Sequence, residues 1–124
     1  MFQEFSSWFE VDLSKWDMSN AENVSYMFDK CFSFNTDLSN WNLHNCKNCS
    51  YMFRRCDNFT SDLSKWDVSN VINFDFMFSD CQMFNSDLSQ WNVSNGVYFS
   101  CMFSRCKCFN SDLSAWDVHN AFTL

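Results

Sequence analysis

Trp16, Trp41, Trp66, Trp91 and Trp116 stand 25 residues apart with no slippage. Other columns keep the same step: Asp12, Asp37, Asp62, Asp87 and Asp112; Asn20, Asn45, Asn70, Asn95 and Asn120; Cys31, Cys56, Cys81 and Cys106; Phe34, Phe59, Phe84 and Phe109. Met27-Phe28 returns at 52, 77 and 102. A strict period of this length belongs to units that cannot bury an apolar face alone and so stack on their neighbours. The core is therefore expected to be a rod rather than a ball. Aromatic residues make up 20% of the 124, too much apolar payload for a chain that stays disordered. With one Gly and no Pro, the turns fall to Asn, Asp and Ser, which bond the backbone locally and tolerate left-handed geometry.

Residues 62–86 show one unit. Trp66-Asp67-Val68-Ser69 alternates apolar and polar, the period of a half-buried strand. Asn70 follows at the place of a helix N-cap. Phe74, Met77, Phe78 and Cys81 then fall at i, i+3, i+4 and i+7, the stripe of a short helix. The pattern predicts an α/β solenoid of about five strand–short-helix repeats sharing one parallel sheet. An all-β parallel β-helix is the alternative, because SYMFRRC (50–56) is short enough for a twisted strand or a 3₁₀ turn. Residues 1–10 read as a degenerate N-terminal cap and 11–124 as the five repeats, the last incomplete. The Asp12-type column is expected to accept backbone N–H groups in Asx-turns over Asp-Leu-Ser; a row of calcium ions would need more oxygens than one carboxylate per repeat supplies.

The motif F-N-x-D-L-S-x-W-D-V-S-N, followed by M-F-x-x-C, resembles the 25–26-residue repeat of BspA-like leucine-rich-repeat surface proteins, which also occurs in lipoprotein-associated mycoplasma proteins of unknown function. The resemblance runs from Phe9 to about Leu124. It implies a repeat scaffold for protein–protein contact, often a bacterial cell-surface adhesin, and no catalytic residues. Related repeats occur in protists and large DNA viruses. The start MFQEFSSWFEV has neither a basic n-region nor a long apolar h-region, so no signal peptide is expected, and no stretch reaches the length of a membrane span.

Eight cysteines are an even number. In the Cys31 column, side chains on stacked repeats point the same way and their Cβ atoms stay too far apart for a disulfide. They read as buried free thiols, and hence as a sign of a reducing compartment. Cys46 and Cys49 form a C-x-x-C, but no second pair stands at zinc spacing. No metal or cofactor is expected. Four N-glycosylation sequons, at Asn23, Asn48, Asn58 and Asn92, are read as incidental. The net charge of −7 with eight basic residues lacks the basic stripe of a nucleic-acid or anionic-membrane binder. Lys30, Arg55 and Arg105 share a column that Asp80 interrupts. His44 and His119 are three repeats apart, too far to cooperate in catalysis, so an enzyme is not expected.

Two surfaces remain for a protein partner. The outward strand face carries Asp17, Asn42, Asp67, Asn92 and Asp117, with His44, Ser69 and His119 beside them. The ends carry Phe2, Phe5 and Trp8 in the cap, and Trp116, Val118, Phe122 and Leu124 past the last strand. Residue 126 would be in phase with Met1, so the expectation is that one copy continues another head to tail or that a partner protein caps the C-terminal end. The function expected is a non-enzymatic structural or interaction module of a larger assembly, inside a reducing compartment or an assembled virus particle. The alternative is a secreted or cell-surface adhesin of the BspA-like type, whose export signal has been removed.

Overall fold

A computed structural model of the chain describes residues 13–122. The 25-residue units stack in register, and each layer is built from turns. The expected α/β solenoid does not form, and neither does the alternative β-helix. Among the described residues there is no helix. The only strand-like pairing among those residues is three isolated parallel bridges, Asn23 to Asn48, Asn48 to Asn73 and Asn73 to Tyr98.

The hydrogen bonds explain why the helical stripe does not make a helix. Over residues 74–81, alternate N–H groups have different destinations. Met77, Ser79 and Cys81 donate to the carbonyl three residues back, at Phe74, Phe76 and Phe78. Phe74, Phe76, Phe78 and Asp80 donate out of the layer, to the carbonyls of Tyr98, Ser100, Met102 and Ser104. An α-helix needs every N–H for its own i→i−4 ladder, so half the donors of this arc are committed elsewhere. The same alternation serves residues 24–31 against the second layer and 49–56 against the third. It holds Tyr26, Lys30, Tyr51, Arg55, Phe76, Asp80, Cys101 and Arg105 at φ between 53 and 61°. These residues, with one aspartate among them, take the left-handed positions that the sequence suggested for Asn, Asp and Ser. Left-handed backbone costs a non-glycine residue about 1–2 kcal/mol, so the inter-layer bonds and the burial they permit must offset that cost.

The expected strand at 66–69 does not form either; residues 66–68 run between two turns, closed by Trp66 N–H on the Leu63 carbonyl and Val71 N–H on the Val68 carbonyl. Trp66 and Val68 are buried while Asp67 is exposed, so the alternation is real although no strand carries it. Asn70 caps no helix; its Nδ2 donates to the carbonyl of His44 one layer back. Asn45, Asn95 and Asn120 make the same bond to Ser19, Ser69 and Ser94.

Two further columns tie the layers together. The indole Nε1 of Trp41, Trp66, Trp91 and Trp116 donates at 2.8 Å to the carbonyls of Leu13, Leu38, Leu63 and Leu88. The thiols of Cys56, Cys81 and Cys106 donate to the carbonyls of Phe28, Phe53 and Phe78. Both reach back 28 residues, to a carbonyl that already closes a turn in its own layer. The cysteine column is therefore free, as expected, but it is a line of donors and not merely small apolar filler.

Phenylalanines fill the interior in a two-way stack. Phe53 and Phe59 lie 4.3 Å apart within a layer, and Phe53 and Phe78 lie 5.6 Å apart between layers. Parallel Trp66 and Trp91 rings sit 6.4 Å apart. Gly96 is a matter of volume, since a Cβ there would lie 2.3 Å from the Phe99 ring.

Replacing Trp66 by Phe removes one indole donor and part of a buried stack. The loss expected is about 1–2 kcal/mol, read from the midpoint of urea unfolding. Trp116→Phe, in a half-buried copy of the same position, should cost less. Equal losses at both positions would contradict this layer-to-layer account.

Candidate functional site

The last layer shows what the stacking leaves open. Cys101, Phe103 and Arg105 occupy the positions of Phe76, Phe78 and Asp80, one period on. Their N–H groups have no acceptor among the described residues, whereas their three predecessors each donate to the next layer. Beneath this edge lies an open hollow of about 520 Å³, walled by Phe99, Met102, Phe103, Leu113, Trp116 and Val118. In the layer behind, Phe78, Leu88, Trp91 and Val93 are buried. Their counterparts Phe103, Leu113, Trp116 and Val118 are only partly so. The face thus pairs a row of unsatisfied backbone donors with an apolar floor, the properties of an edge that templates another layer.

Of the end residues singled out in the sequence, Trp116 and Val118 line this hollow, while Phe122 does not; it is 80% exposed and lies edge-on to Tyr98. Phe2, Phe5, Trp8 and Leu124, and with them the cap at 1–10, lie outside the described residues. Phe99, Met102 and Phe103 were not singled out. Their signal was available: they are the last copy of columns that are buried in every earlier layer.

The polar stripe is a row of Asx-turns. Asp17, Asn42, Asp67, Asn92 and Asp117 each accept, through Oδ1, the N–H two residues ahead. Ser69 adds its hydroxyl to Asp67 at 2.6 Å. His44 Nδ1 meets Asp67 Oδ2 at 2.7 Å across a layer, while His119 Nδ1 meets Asp117 of its own turn, also at 2.7 Å. The two histidines are not brought together. The second aspartate column behaves in the same way: Asp37, Asp62, Asp87 and Asp112 accept the N–H of Ser39, Ser64, Ser89 and Ser114. This is the turn expected from Asp-Leu-Ser, though it lies on the surface.

Cys46 and Cys49 bring their sulfurs to 3.6 Å in the core, where other layers place Ala, Val, Gly or Phe. The Cys49 S–H holds the Cys46 thiol below its usual range, and the same contact together with burial pushes Cys49 up. No group of three or more metal-ligating side chains gathers among the described residues, and none of the helices needed to cross a membrane is present there.

The chain is thus a turn-built repeat protein whose layers are joined by backbone, indole, thiol and amide donors. It matches twice, over residues 1–68 and 38–124, the family described as mycoplasma protein of unknown function, DUF285, and it belongs to that family. No curated protein matches the chain, and no solved structure matches it.

The Asx-turns make the stack acid-sensitive. Hydrogen bonds to the ionised form lower the pKa of Asp17, Asp37, Asp62, Asp67, Asp87, Asp112 and Asp117 below 3.8. The Ser hydroxyl leads at Asp17 and Asp67, the serine N–H at Asp37, Asp62, Asp87 and Asp112, and the His119 ring at Asp117. A carboxyl depressed on folding contributes its stability in full above the unfolded value and loses it as pH falls through the folded one. The melting temperature should therefore hold at neutral pH and drop as pH falls past 3.8. A melting temperature unchanged between neutral pH and the bottom of that window would contradict the Asx-turn assignment.

Proposed function

We propose that this chain is a non-enzymatic structural and protein-interaction module that docks through the open face of its last layer, and that the occupant is a layer from a second copy of the chain. The observation that supports this is the set of N–H groups at Cys101, Phe103 and Arg105 that find no acceptor among the described residues, over an apolar hollow. Inside the stack, the same donors and the same side chains are satisfied by one more 25-residue layer. In this reading the further layer comes from a second copy. A contact of this kind is heterologous, so it propagates into a short filament unless its rotation closes a ring.

The likeness to the BspA-like repeat belongs to this reading. It rests on the F-N-x-D-L-S-x-W motif, and it carries the interaction role without the strand-and-helix form. Eight free thiols, including an unjoined pair in van der Waals contact, fit a reducing compartment or an assembled virus particle. The polar stripe is a weaker candidate surface, because its carboxylates are already engaged in their own turns.

Light scattering against concentration, in the presence of reductant, tests the proposal. Mass is expected to rise above the 14.8 kDa of one chain. Val118→Lys puts a charge on the floor of the hollow, where a long stem can still reach water. It should return the protein to one chain with its circular dichroism unchanged. A single chain at every concentration overturns the self-docking reading.

A further inference from the structure

Cys46 and Cys49 break two columns of the stack. At their phases the layer before carries Ala21 and Val24, and the layer after carries Val71 and Phe74. Apolar side chains fill these places there, so packing alone does not call for a thiol at either. Both cysteines are fully buried, and their sulfurs stand 3.6 Å apart, at van der Waals contact. A disulfide needs about 2.05 Å, so the two sulfurs have only about 1.5 Å to close between them.

The segment between the two cysteines is held from both sides. Lys47 and Asn48 donate their N–H groups to the Glu22 carbonyl in the layer before. The Lys47 carbonyl accepts the N–H groups of Ile72 and Asn73 in the layer after, and the Cys49 N–H donates to the Asn73 carbonyl. The sulfur contact is thus set by the stacked backbone. The thiols differ in character. The Cys49 S–H holds the Cys46 thiol below its usual range, while the same contact and burial push Cys49 up. In the cysteine column, Cys56 and Cys81 give their protons to carbonyls, and burial pushes both well above the ordinary thiol range. Cys46 is therefore the stronger nucleophile. Its neighbours Asn45 and Lys47 are exposed, and with Asn20 and Glu22 they line a polar cleft of about 230 Å³.

We infer that Cys46 and Cys49 form a thiol-oxidation site that takes a hydroperoxide and closes to a disulfide within its layer. Opening of the turn that the Cys46 N–H closes on the Leu43 carbonyl admits the small oxidant from the cleft. The Cys46 thiolate attacks one peroxide oxygen, the O–O bond breaks, and the departing hydroxide takes up the proton that Cys46 released. Cys46 is then a sulfenic acid. The Cys49 sulfur attacks Cys46 Sγ, the S–S bond forms, and the hydroxyl leaves with the Cys49 proton as water. Two thiols and one hydrogen peroxide give one disulfide and two waters; the sulfurs lose two electrons and the peroxide oxygens gain them. The new bond closes a ring around Lys47 and Asn48, and a dithiol reductant reopens it.

The test treats the reduced full chain with hydrogen peroxide, blocks the remaining thiols by alkylation, and maps tryptic peptides of the unfolded product by mass spectrometry. Trypsin cuts after Lys47, so peptides 31–47 and 48–54 stay together only through a disulfide. The linked pair is expected to form about tenfold or more faster than Cys56 or Cys81 is oxidised. Fragmentation should place the bond on Cys46 and not on Cys31, and dithiothreitol should reverse it. Cys46→Ala combined with Cys49→Val restores the residues of the layer before. That variant should keep its circular dichroism and lose the linked pair. Cys49→Val alone should stop at the Cys46 sulfenic acid, which dimedone captures, whereas Cys46→Ala alone should leave Cys49 unoxidised. Absence of the linked pair in a chain of native circular dichroism, linkage through Cys31, or dimedone capture at Cys49 in Cys46→Ala overturns the inference.

Discussion

Every second N–H in the turn arc leaves its own layer and donates to the layer ahead. The rest of the molecule depends on this division of donors. It forbids an α-helix, since half of the required bonds are directed elsewhere. It also forbids a regular sheet, since the other half close turns within the layer. It holds Tyr, Lys, Arg and Phe in left-handed backbone at φ near 60°, a geometry that a lone turn would not sustain against its cost. Each layer is consequently unstable without the next, which is the physical meaning of the unbroken period of 25.

Side chains repeat the logic of the backbone. A tryptophan, a cysteine and an asparagine in each layer point a donor backwards to carbonyls of the previous one. The indole and thiol end on carbonyls that already accept one turn bond, so these oxygens use both lone pairs. Buried polar groups left unmatched would cost more than the bonds gain, and the strict columns follow from that pressure. Aromatic stacking within and between layers then fills the interior at 4.1–6.5 Å between ring centres. The only layer that cannot satisfy this scheme among the described residues is the last, and there the apolar floor and the free donors coincide.

Much of this was legible in the sequence. The period, the inward Trp and Val, the exposed Asp between them, the Asx-turns and the free thiols all follow from residue type and phase. The secondary structure was not. Phe74, Met77, Phe78 and Cys81 are buried together, as a helical stripe demands. Consecutive four-residue turns curling round a core bury the same positions, so side-chain periodicity cannot separate the two. The difference lies in where backbone N–H groups go, which no side chain reports. Trp116 and Val118 were found as end residues because they close the chain's last copy of the motif. Phe99, Met102 and Phe103 carry the same signal, as the last copies of core columns, and of these only Phe103 is partly uncovered.

Amide hydrogen exchange measured residue by residue in dilute, reduced protein tests the division of donors most directly. The account predicts slow exchange at Phe76, Phe78 and Asp80, whose N–H groups enter the next layer. It predicts fast exchange at Cys101, Phe103 and Arg105, one period later, with protection appearing there only as copies associate. Slow exchange at all six positions in the single chain, or fast exchange at Phe76, Phe78 and Asp80, would contradict it.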